Sequence, residues 1–168
     1  MNPSHEAKET ISRYEGLLVG LAQAGVDFAV VGGIAVILNG YPRLTQDVDI
    51  LVEDSPENIR RLLGYLVNWG EGWARELRPE EFVPQEGCIR ISEDFDLDVF
   101  TRMLGRSFRD FESRLRNLES RGVRIRYLAP DGLVELKEGS WREKDRLDVQ
   151  ALREILRREA GGASGMES

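Results

Sequence analysis

The sequence predicts a single domain of the α/β (α+β) class, with a mixed β-sheet flanked by helices. Three observations predict it: the chain has 168 residues, apolar residues recur at helix or strand spacing, and the predicted helices and strands alternate. The hydrophobic fraction of 41% and the charged fraction of 32% are ordinary for a globular domain. We therefore predict one domain over residues 1–160 and a flexible tail over residues 161–168.

The first part of the chain is predicted to alternate helices and strands. Ser4 and Ser55 are suited to cap helices, and Pro56 fits the first helical position after Ser55. Glycines mark the ends of the predicted helices. The predicted elements are a helix at 5–23, a strand at 26–32, a short buried helix at 34–40, a strand at 47–54 and a helix up to residue 69.

The second part follows a polar connection rich in Pro and Glu. Two runs with strand character, CIRIS and FDLDVF, are predicted to form a hairpin that turns at residues 92–94. The remaining predicted elements are a helix at 107–119, a strand at 123–128, a helix at 130–139 and a last helix at 143–159.

Several classes of protein are disfavoured by the composition. The single Cys88 and the single His5 do not suffice for a thiolate zinc site or a histidine-based triad. The longest apolar run, FAVVGGIAVIL, is shorter than the roughly 20 residues that a membrane span requires. The amino terminus lacks the basic and then apolar layout of a secretory signal. We predict a cytoplasmic protein with no membrane association.

The lone cysteine and the three tryptophans are interpreted as packing residues. A single thiol on a predicted strand is typical of a small core residue, so Cys88 is assigned to the core. Trp69, Trp73 and Trp141 are likewise assigned to packing, with stacking on a nucleobase as the alternative.

Charge is distributed unevenly along the chain, whose net charge is -7. Residues 1–100 carry 8 basic and 18 acidic residues, whereas residues 101–160 carry 15 basic and 11 acidic residues. The basic second part is interpreted either as a cationic wall facing an acidic site, which suits a polyanionic substrate, or as a solvated helix surface.

Two aspartates on one strand provide the first candidate site. Because side chains at i and i+2 of a strand point to the same face, Asp47 and Asp49 share a face and Val48 points away from it. Like charges so placed repel unless a cation lies between them. Oxygen ligands of this kind suit a hard divalent cation such as Mg²⁺, whose shell is commonly completed by substrate phosphates.

A glycine pair provides a second candidate site. Gly32 and Gly33 lie between a predicted strand and a short helix. Without side chains they permit a phosphate group to approach backbone amides at the helix amino terminus, where anions are favoured. We therefore predict a phosphate-binding segment there.

The order of these motifs resembles a known superfamily. The glycine pair followed by RLTQDVDILV resembles the signature of nucleotidyltransferases of the DNA polymerase β superfamily, in particular minimal nucleotidyltransferases and abortive-infection toxins. Many members have Gly-Ser where this chain has Gly32-Gly33, so a serine hydroxyl contact to phosphate is missing. The superfamily pattern implies a third acid on a later strand. Asp98 in LDVF fits that role, with Asp96 on the same face as the alternative.

The carboxy-terminal segment ELKEGSWREKDRLDVQAL resembles a motif of the toxin-like branch. The residues that carry the match are Lys137, Arg142, Lys144, Asp145 and Asp148. Ion pairing along a helix surface is the alternative explanation for Asp145 and Asp148, and Lys137 has the alternative of lying along a helix surface.

The resemblance implies a metal-dependent transfer of a nucleoside monophosphate from an NTP to an acceptor hydroxyl. It implies two Mg²⁺ ions, for which Mn²⁺ is an alternative, held by carboxylates that are also the catalytic residues: Asp47, Asp49 and Asp98. The nucleotide-binding residues are predicted to be Gly32, Gly33, Arg43, Thr45 and Lys137. Arg142, Lys144 and Asp145 are further candidate site residues without an assigned role.

The acceptor stays open between an RNA or tRNA end, a side chain of a partner protein and a small molecule. A role in a toxin–antitoxin or phage-defence system is the biological interpretation. The alternative from another class is a nucleotide-binding module without catalysis, which would serve as an antitoxin or regulatory partner.

Overall fold

The structure, a computed structural model, describes residues 4–164. Its α-helices are α1 (His5–Thr10), α2 (Ser12–Gln23), α3 (Gly32–Leu38), α4 (Pro56–Leu66), α5 (Phe108–Phe111), α6 (Pro130–Lys137) and α7 (Glu143–Ser164). Its strands are β1 (Phe28–Val31), β2 (Asp47–Val52), β3 (Cys88–Ser92), β4 (Asp96–Phe100), β5 (Leu115–Ser120) and β6 (Val123–Leu128). Short 3₁₀ turns occupy Trp73–Glu76, Pro79–Glu81 and Glu112–Arg114.

The strands form one six-stranded mixed sheet in the order β3-β4-β2-β1-β6-β5, which confirms the predicted fold class. β1 runs antiparallel to β2 and parallel to β6, and β2 runs parallel to β4. The outer pairs β3–β4 and β5–β6 are antiparallel. All four residues of β1 are buried, as expected for a central strand covered on both faces.

The β1–α3–β2 unit brings the two predicted motifs together. Gly32 adopts φ +68°, a conformation that glycine tolerates best, and α3 begins there directly after β1. Every residue of α3 from Gly33 to Leu38 is buried, so the apolar run forms a helix inside the core. The chain then returns as β2 beside β1, with Val31 opposite Asp49. The start of α3 consequently lies next to the Asp47–Asp49 pair.

Helix α4 is attached to the sheet through one buried side chain. Ser55 caps the helix by accepting a hydrogen bond from the Asn58 amide at 3.2 Å. The Asn58 side chain accepts from the Asp27 amide at 2.8 Å and donates to the carbonyls of Asp27 and Glu53 at 2.9 and 2.7 Å. These bonds join the start of α4 to the backbone of Asp27, which precedes β1, and of Glu53, which follows β2.

The predicted helix at 107–119 is wrong in its second half. Residues 108–114 form the short α5 and a 3₁₀ turn, but Leu115–Ser120 is strand β5, paired with β6. Leu115 and Leu118 are three residues apart, a spacing typical of a helix. The connection decides the outcome, because Arg121 and Gly122 both have positive φ, as a two-residue hairpin turn of type I′ requires.

The terminal helices also differ from the prediction. The first predicted helix is divided at Ile11 into α1 and α2. The last helix continues through residues 161–164, which were predicted as tail, and residues 165–168 lie outside the described part of the chain. Over residues 4–164, no helix is both long and apolar enough to cross a membrane.

The packing interpretation is wrong for three of its four residues. Cys88 is exposed on β3, and Trp73 and Trp141 are 56% and 84% exposed. Trp69 does pack against the core, with its ring centroid 5.5 Å from that of Phe95.

Candidate active site

Strand register places four carboxylates on one face of the sheet. In the parallel β2–β4 pair, Asp47 lies opposite Asp96 and Asp49 lies opposite Asp98. The residue between the two aspartates of β2, Val48, is fully buried on the other face. Asp98 is also buried, whereas Asp96 is partly exposed. The two-residue spacing in each strand therefore becomes a compact acidic cluster.

A cavity of about 300 Å³ lies over this cluster. Most of the sequence-predicted site residues line it: Gly32, Gly33, Arg43, Thr45, Asp47, Asp49, Asp98, Lys137, Arg142, Lys144 and Asp145. Asp96 is not part of the lining. The remaining lining side chains were not predicted: Val31, Arg90, Phe100, Met103, Leu133 and Leu136. The cavity thus has an acidic floor on the sheet and a basic side contributed by α6 and the start of α7.

Asp49 is the carboxylate that is most affected by its surroundings. Its pKa is raised from 3.8 to about 6, mainly by burial and then by the negative charges of Asp98 and Asp47. The positive charges of Lys137 and Lys144 oppose this shift. The pKa of Asp49 therefore depends on charged groups on both sides of the cavity.

The glycine pair makes room for side chains of the site itself. A Cβ atom on Gly32 would lie 2.1 Å from Asp49 Oδ2. A Cβ atom on Gly33 would lie 2.8 Å from both Arg43 Nη2 and Thr45 Oγ1. The requirement for glycine at these positions thus has a reason besides phosphate approach, because larger residues would displace three of the predicted site residues.

The loop before β2 is held by three contacts. Tyr14 on α2 donates its hydroxyl hydrogen bond to the Thr45 carbonyl at 2.8 Å, and the Thr45 hydroxyl donates to the Asp47 carbonyl at 3.2 Å. Arg43 Nε lies 2.9 Å from Asp148 Oδ1, and Arg43 Nη2 donates to Asp148 Oδ2 at 3.1 Å. Asp148, which α7 carries, is completely buried.

Asp145 is a second buried carboxylate on α7, and it holds cations on the basic side of the cavity. Lys137 Nζ lies 3.1 Å from an oxygen of Asp145 and 3.1 Å from an oxygen of Asp148. Asp145 also accepts hydrogen bonds from Ser140 at 2.7 Å and Arg142 at 3.0 Å. Burial acts to raise the pKa of Asp145, but the bonds from Ser140 and Lys137 outweigh burial and hold that pKa below its ordinary value.

The segment from Lys137 to Asp148 therefore agrees with both interpretations made from the sequence, a nucleotide-binding motif and ion pairing. Asp145 and Asp148 form ion pairs, as the alternative explanation required, yet their partners are the predicted nucleotide-binding cations Arg43 and Lys137. In this network three cations, including Arg142, meet two carboxylates, so one positive charge remains. Lys144 adds another, because it has no ion-pair partner within residues 4–164. The basic wall is preorganised and keeps a net positive charge.

Arg90 is the main functional residue that the sequence interpretation missed. Its guanidinium donates to both oxygens of Asp98, from Nε at 2.8 Å and from Nη2 at 2.9 Å. Nη2 also lies 3.6 Å from Asp47 Oδ2, and Nη1 lies 3.4 Å from Asp96 Oδ2. The hydrogen bonds to Asp98 and the three negative charges raise the pKa of Arg90. One cation therefore contacts three of the four carboxylates.

A signal for this contact was present in the predicted hairpin. β3 and β4 pair with Ser92 opposite Asp96, which places Arg90 opposite Asp98. Had that register been assumed, the alternation of CIRIS would have placed a basic side chain on the acidic face.

The donor set suits hard divalent cations, although the side chains are not closed around one. Asp47, Asp49 and Asp98 offer only oxygen ligands, and the repulsion that raises the pKa of Asp49 is of the kind a cation relieves. As the side chains stand, residues 4–164 contain no group of three or more His, Cys, Asp and Glu arranged to hold a metal ion. In this arrangement Arg90 engages both oxygens of Asp98.

The mixed sheet, the Asp-x-Asp strand after a glycine pair and the opposing basic wall define a nucleotidyltransferase of the DNA polymerase β type. The chain belongs to the family described as "nucleotidyltransferase of unknown function (DUF6036)", whose profile matches residues 17–157. The superfamily predicted from the sequence is thereby confirmed, and the chain is assigned to nucleotidyl transfer in general. No curated protein sequence matches it significantly.

Three solved structures share the fold. The lincosamide antibiotic adenylyltransferase LnuA, in its lincomycin-bound form, is 15% identical with a TM-score of 0.60, over 92% of this chain and 99% of that chain. An antigenic nucleotidyltransferase-like protein from Paracoccidioides brasiliensis is 18% identical with a TM-score of 0.53, over 90% of this chain and 78% of that chain. TM1012 from Thermotoga maritima, a protein assigned as a nucleotidyltransferase, is 16% identical with a TM-score of 0.50, over 88% of this chain and 94% of that chain.

Proposed function

We propose that this protein transfers a nucleoside monophosphate from an NTP to an acceptor hydroxyl, with divalent cations held by Asp47, Asp49 and Asp98. One observation carries the proposal: these three carboxylates share a face and a cavity with the basic wall of Arg43, Lys137 and Lys144. An acidic floor suits divalent cations, and a basic wall suits a triphosphate. Family membership supports the nucleotidyl-transfer part of the proposal.

In the proposed reaction, the acceptor oxygen attacks the α-phosphorus of the NTP. A new bond forms between that oxygen and phosphorus, the bond from phosphorus to the bridging oxygen breaks, and pyrophosphate leaves with that bond's electron pair. Asp98 takes the proton of the acceptor hydroxyl, a step typically worth about 10² to 10⁴ in rate. Asp47, Asp49 and Asp98 would hold two divalent ions, which when bound would activate the hydroxyl and stabilise the leaving group. Mg²⁺ is proposed, with Mn²⁺ as the substitute.

The chain's own cations have a defined part in this scheme. Lys137 and Arg43 would neutralise charge that grows on the leaving pyrophosphate, a contribution that is largest when the donors are already in position. Their ion pairs with buried Asp148 supply that positioning. The amides of Gly32 and Gly33 would contact the β and γ phosphates at the cavity wall.

The proposed biological role is that of a toxin or phage-defence enzyme, because the Lys137 to Asp148 segment resembles the motif of the toxin-like branch. The proposed acceptors are an RNA or tRNA end, a partner protein and a small molecule. LnuA, which has a similar fold, is described as an adenylyltransferase of lincosamide antibiotics. We therefore include small hydroxylated compounds among the acceptors to be tested.

A catalytically inactive nucleotide-binding module is the second candidate, and one observation favours it. Arg90 places a fixed positive charge against Asp98, Asp47 and Asp96, where an enzyme of this type would bind metal. A module that had lost turnover would tolerate such a contact. The retention of all the acidic residues favours the enzyme, because a module without turnover has no chemical need for them.

The test is transfer of label from each of the four NTPs, labelled at the α-phosphate, to total tRNA, to a cell lysate and to a set of small hydroxylated compounds. We expect labelled product and pyrophosphate release that depend on Mg²⁺ or Mn²⁺. Asn at position 47 or 49 should abolish both, and Asp98→Asn should reduce the rate by about 10² to 10⁴.

Asp131→Asn is the matched control, because Asp131 is an exposed aspartate on α6 outside the cavity lining. It removes the same charge and should leave transfer unchanged. Full activity of Asp47→Asn or Asp49→Asn would refute the assignment. Nucleotide binding by calorimetry without any transfer or pyrophosphate release would instead identify the non-catalytic module.

A further inference from the structure

The contact of Arg90 with the acidic cluster joins a half-exposed side chain to a buried one. Asp98 lies on β4, between β2 and β3, and its side chain is only 7% exposed. Arg90 lies on β3, at the edge of the sheet, and its side chain is 51% exposed. The arginine can therefore rotate into solvent without disturbing the core, whereas the aspartate cannot.

We propose that Arg90 is a displaceable counterion, which neutralises the acidic cluster in the metal-free protein and must release Asp98 before a divalent cation can use that carboxylate. Arg90 would then set the metal affinity of the site. This inference rests on the proposed metal-dependent function.

Charge balance supports the inference. The four carboxylates on the shared face carry four negative charges, and Arg90 alone contacts three of them, at 2.8 to 3.6 Å. A single guanidinium leaves a net charge of about three negative units on that face, so the cluster still attracts cations. A divalent ion at the oxygens of Asp98 would lie against the guanidinium, and the two positive charges would repel each other.

Hydrogen-bond geometry supports it further. Nε and Nη2 of Arg90 form the paired contact with a carboxylate that arginine makes best, at 2.8 and 2.9 Å. Both oxygens of Asp98 are engaged by these donors, so metal coordination and the arginine contact compete for the same atoms. The contacts with Asp47 and Asp96, at 3.6 and 3.4 Å, are looser.

A supporting role of Arg90 in metal binding would predict the reverse effect of its removal. If Arg90 only oriented Asp98 towards a metal ion, its removal would weaken metal binding. A neighbouring opposite charge changes the proton affinity of a carboxylate by about 10- to 1000-fold. We therefore expect removal of Arg90 to raise the affinity for a divalent cation by about tenfold or more.

The experiment measures Mn²⁺ binding to nucleotide-free protein by calorimetry and by the paramagnetic resonance signal of free Mn²⁺. It compares wild type with Arg90→Ala, Arg90→Gln and Arg90→Lys. Arg124→Ala is the matched control, since Arg124 is also a strand arginine with an exposed ion pair, to Glu119 at 3.2 Å, and it lies outside the cavity. We expect tighter binding in the Ala and Gln variants, a smaller change in the Lys variant and none in Arg124→Ala.

Thermal melting provides the second readout. In a chelating buffer, Arg90→Ala should melt below wild type because repulsion among the carboxylates is no longer offset, and added Mg²⁺ should raise its melting temperature more than that of wild type. Arg90→Gln, which retains a polar side chain, replaces Arg90→Ala in both measurements if the Ala variant does not fold.

The outcomes separate the inference from the function on which it rests. Equal or weaker Mn²⁺ binding in folded Arg90 variants, with wild type binding normally, overturns the counterion role and leaves the proposed function intact. Absence of Mn²⁺ binding in wild type and in every Arg90 variant overturns the metal-dependent function together with the inference. Tighter binding that is lost again in the Arg90→Ala, Asp49→Asn double variant supports both.

Discussion

Arg43 and Asp148 are 105 residues apart in the chain, yet Arg43 Nε lies 2.9 Å from Asp148 Oδ1 and Arg43 Nη2 donates to Oδ2 at 3.1 Å. The Asp148 side chain is completely buried and that of Arg43 is 12% exposed. Lys137 Nζ lies 3.1 Å from the same carboxylate. A buried carboxylate on α7 therefore fixes two cations of the cavity wall at once.

Asp148→Ala should be strongly destabilising, because it leaves Arg43 and Lys137 partly buried without their shared partner. Breaking a buried pair by removing one member costs about 3–5 kcal/mol. Denaturant unfolding measures the loss. Glu154→Ala on the same helix is the control, since Glu154 pairs with exposed Arg157 and its loss should stay within about 1 kcal/mol. Similar losses in both variants would contradict the anchoring role.

Gly32→Ala and Gly33→Ala should have different effects although the residues are neighbours. Alanine at 32 must adopt φ +68°, which costs about 1–2 kcal/mol, and its Cβ would collide with the Asp49 carboxylate. Alanine at 33 meets only the ends of the Arg43 and Thr45 side chains. We expect Gly32→Ala to lose stability and Mn²⁺ binding. Gly33→Ala should lose less stability, because only Arg43 and Thr45 must shift, and should retain Mn²⁺ binding. Calorimetry and melting curves test this, and equal behaviour of the two variants would be the contrary result.

The contribution of Asp49 to the stability of the metal-free protein should fall as pH rises, because the pKa of Asp49 is raised from 3.8 to about 6, mainly by burial and then by Asp98 and Asp47. Folding favours the protonated form, so this contribution is fully present below pH 3.8 and is lost as pH rises through about 6. In chelating buffer, Asp49→Asn should melt above wild type at neutral pH, and the gap should narrow towards acid pH. A difference in melting temperature between Asp49→Asn and wild type that does not vary with pH would contradict the raised pKa of Asp49.

Asn58→Ala should destabilise the protein without touching the cavity. The variant leaves backbone groups of Asp27 and Glu53 without the partner that Asn58 provides inside the protein. A buried unsatisfied group costs about 1–3 kcal/mol. Denaturant unfolding should show a loss of at least this size, while Mn²⁺ affinity at low temperature stays unchanged. Loss of Mn²⁺ binding in the folded variant would instead connect Asn58 to the site.

Much of the fold was predictable because local signals and packing agreed. The caps at Ser4 and Ser55 are present as predicted, with hydrogen bonds from Ala7 and Asn58. The hairpin of β3 and β4 was also predicted. Residues 115–120 were not, because their leucine spacing also fits a helix, and only pairing with β6 makes that segment a strand.

The acidic side of the site was more predictable than the surroundings of its cations. The spacing of Asp47 and Asp49 fixes a shared face in any strand. The partners of Arg43 and Lys137 depend on where α7 packs, more than 100 residues after Arg43 in the case of Asp148. The exposure of Trp141, which is 84%, also could not be predicted, because it depends on packing and not on the neighbouring residues in the sequence.

By itself, the sequence determined the strand and helix periodicities, the shared face of Asp47 and Asp49, and the resemblance to a nucleotidyltransferase, because these depend on residues close together in the chain. The tertiary structure alone decided that buried Asp148 holds both Arg43 and Lys137. The physical reason is that ion pairs depend on distances of a few ångströms between segments whose separation along the chain carries no information about their packing.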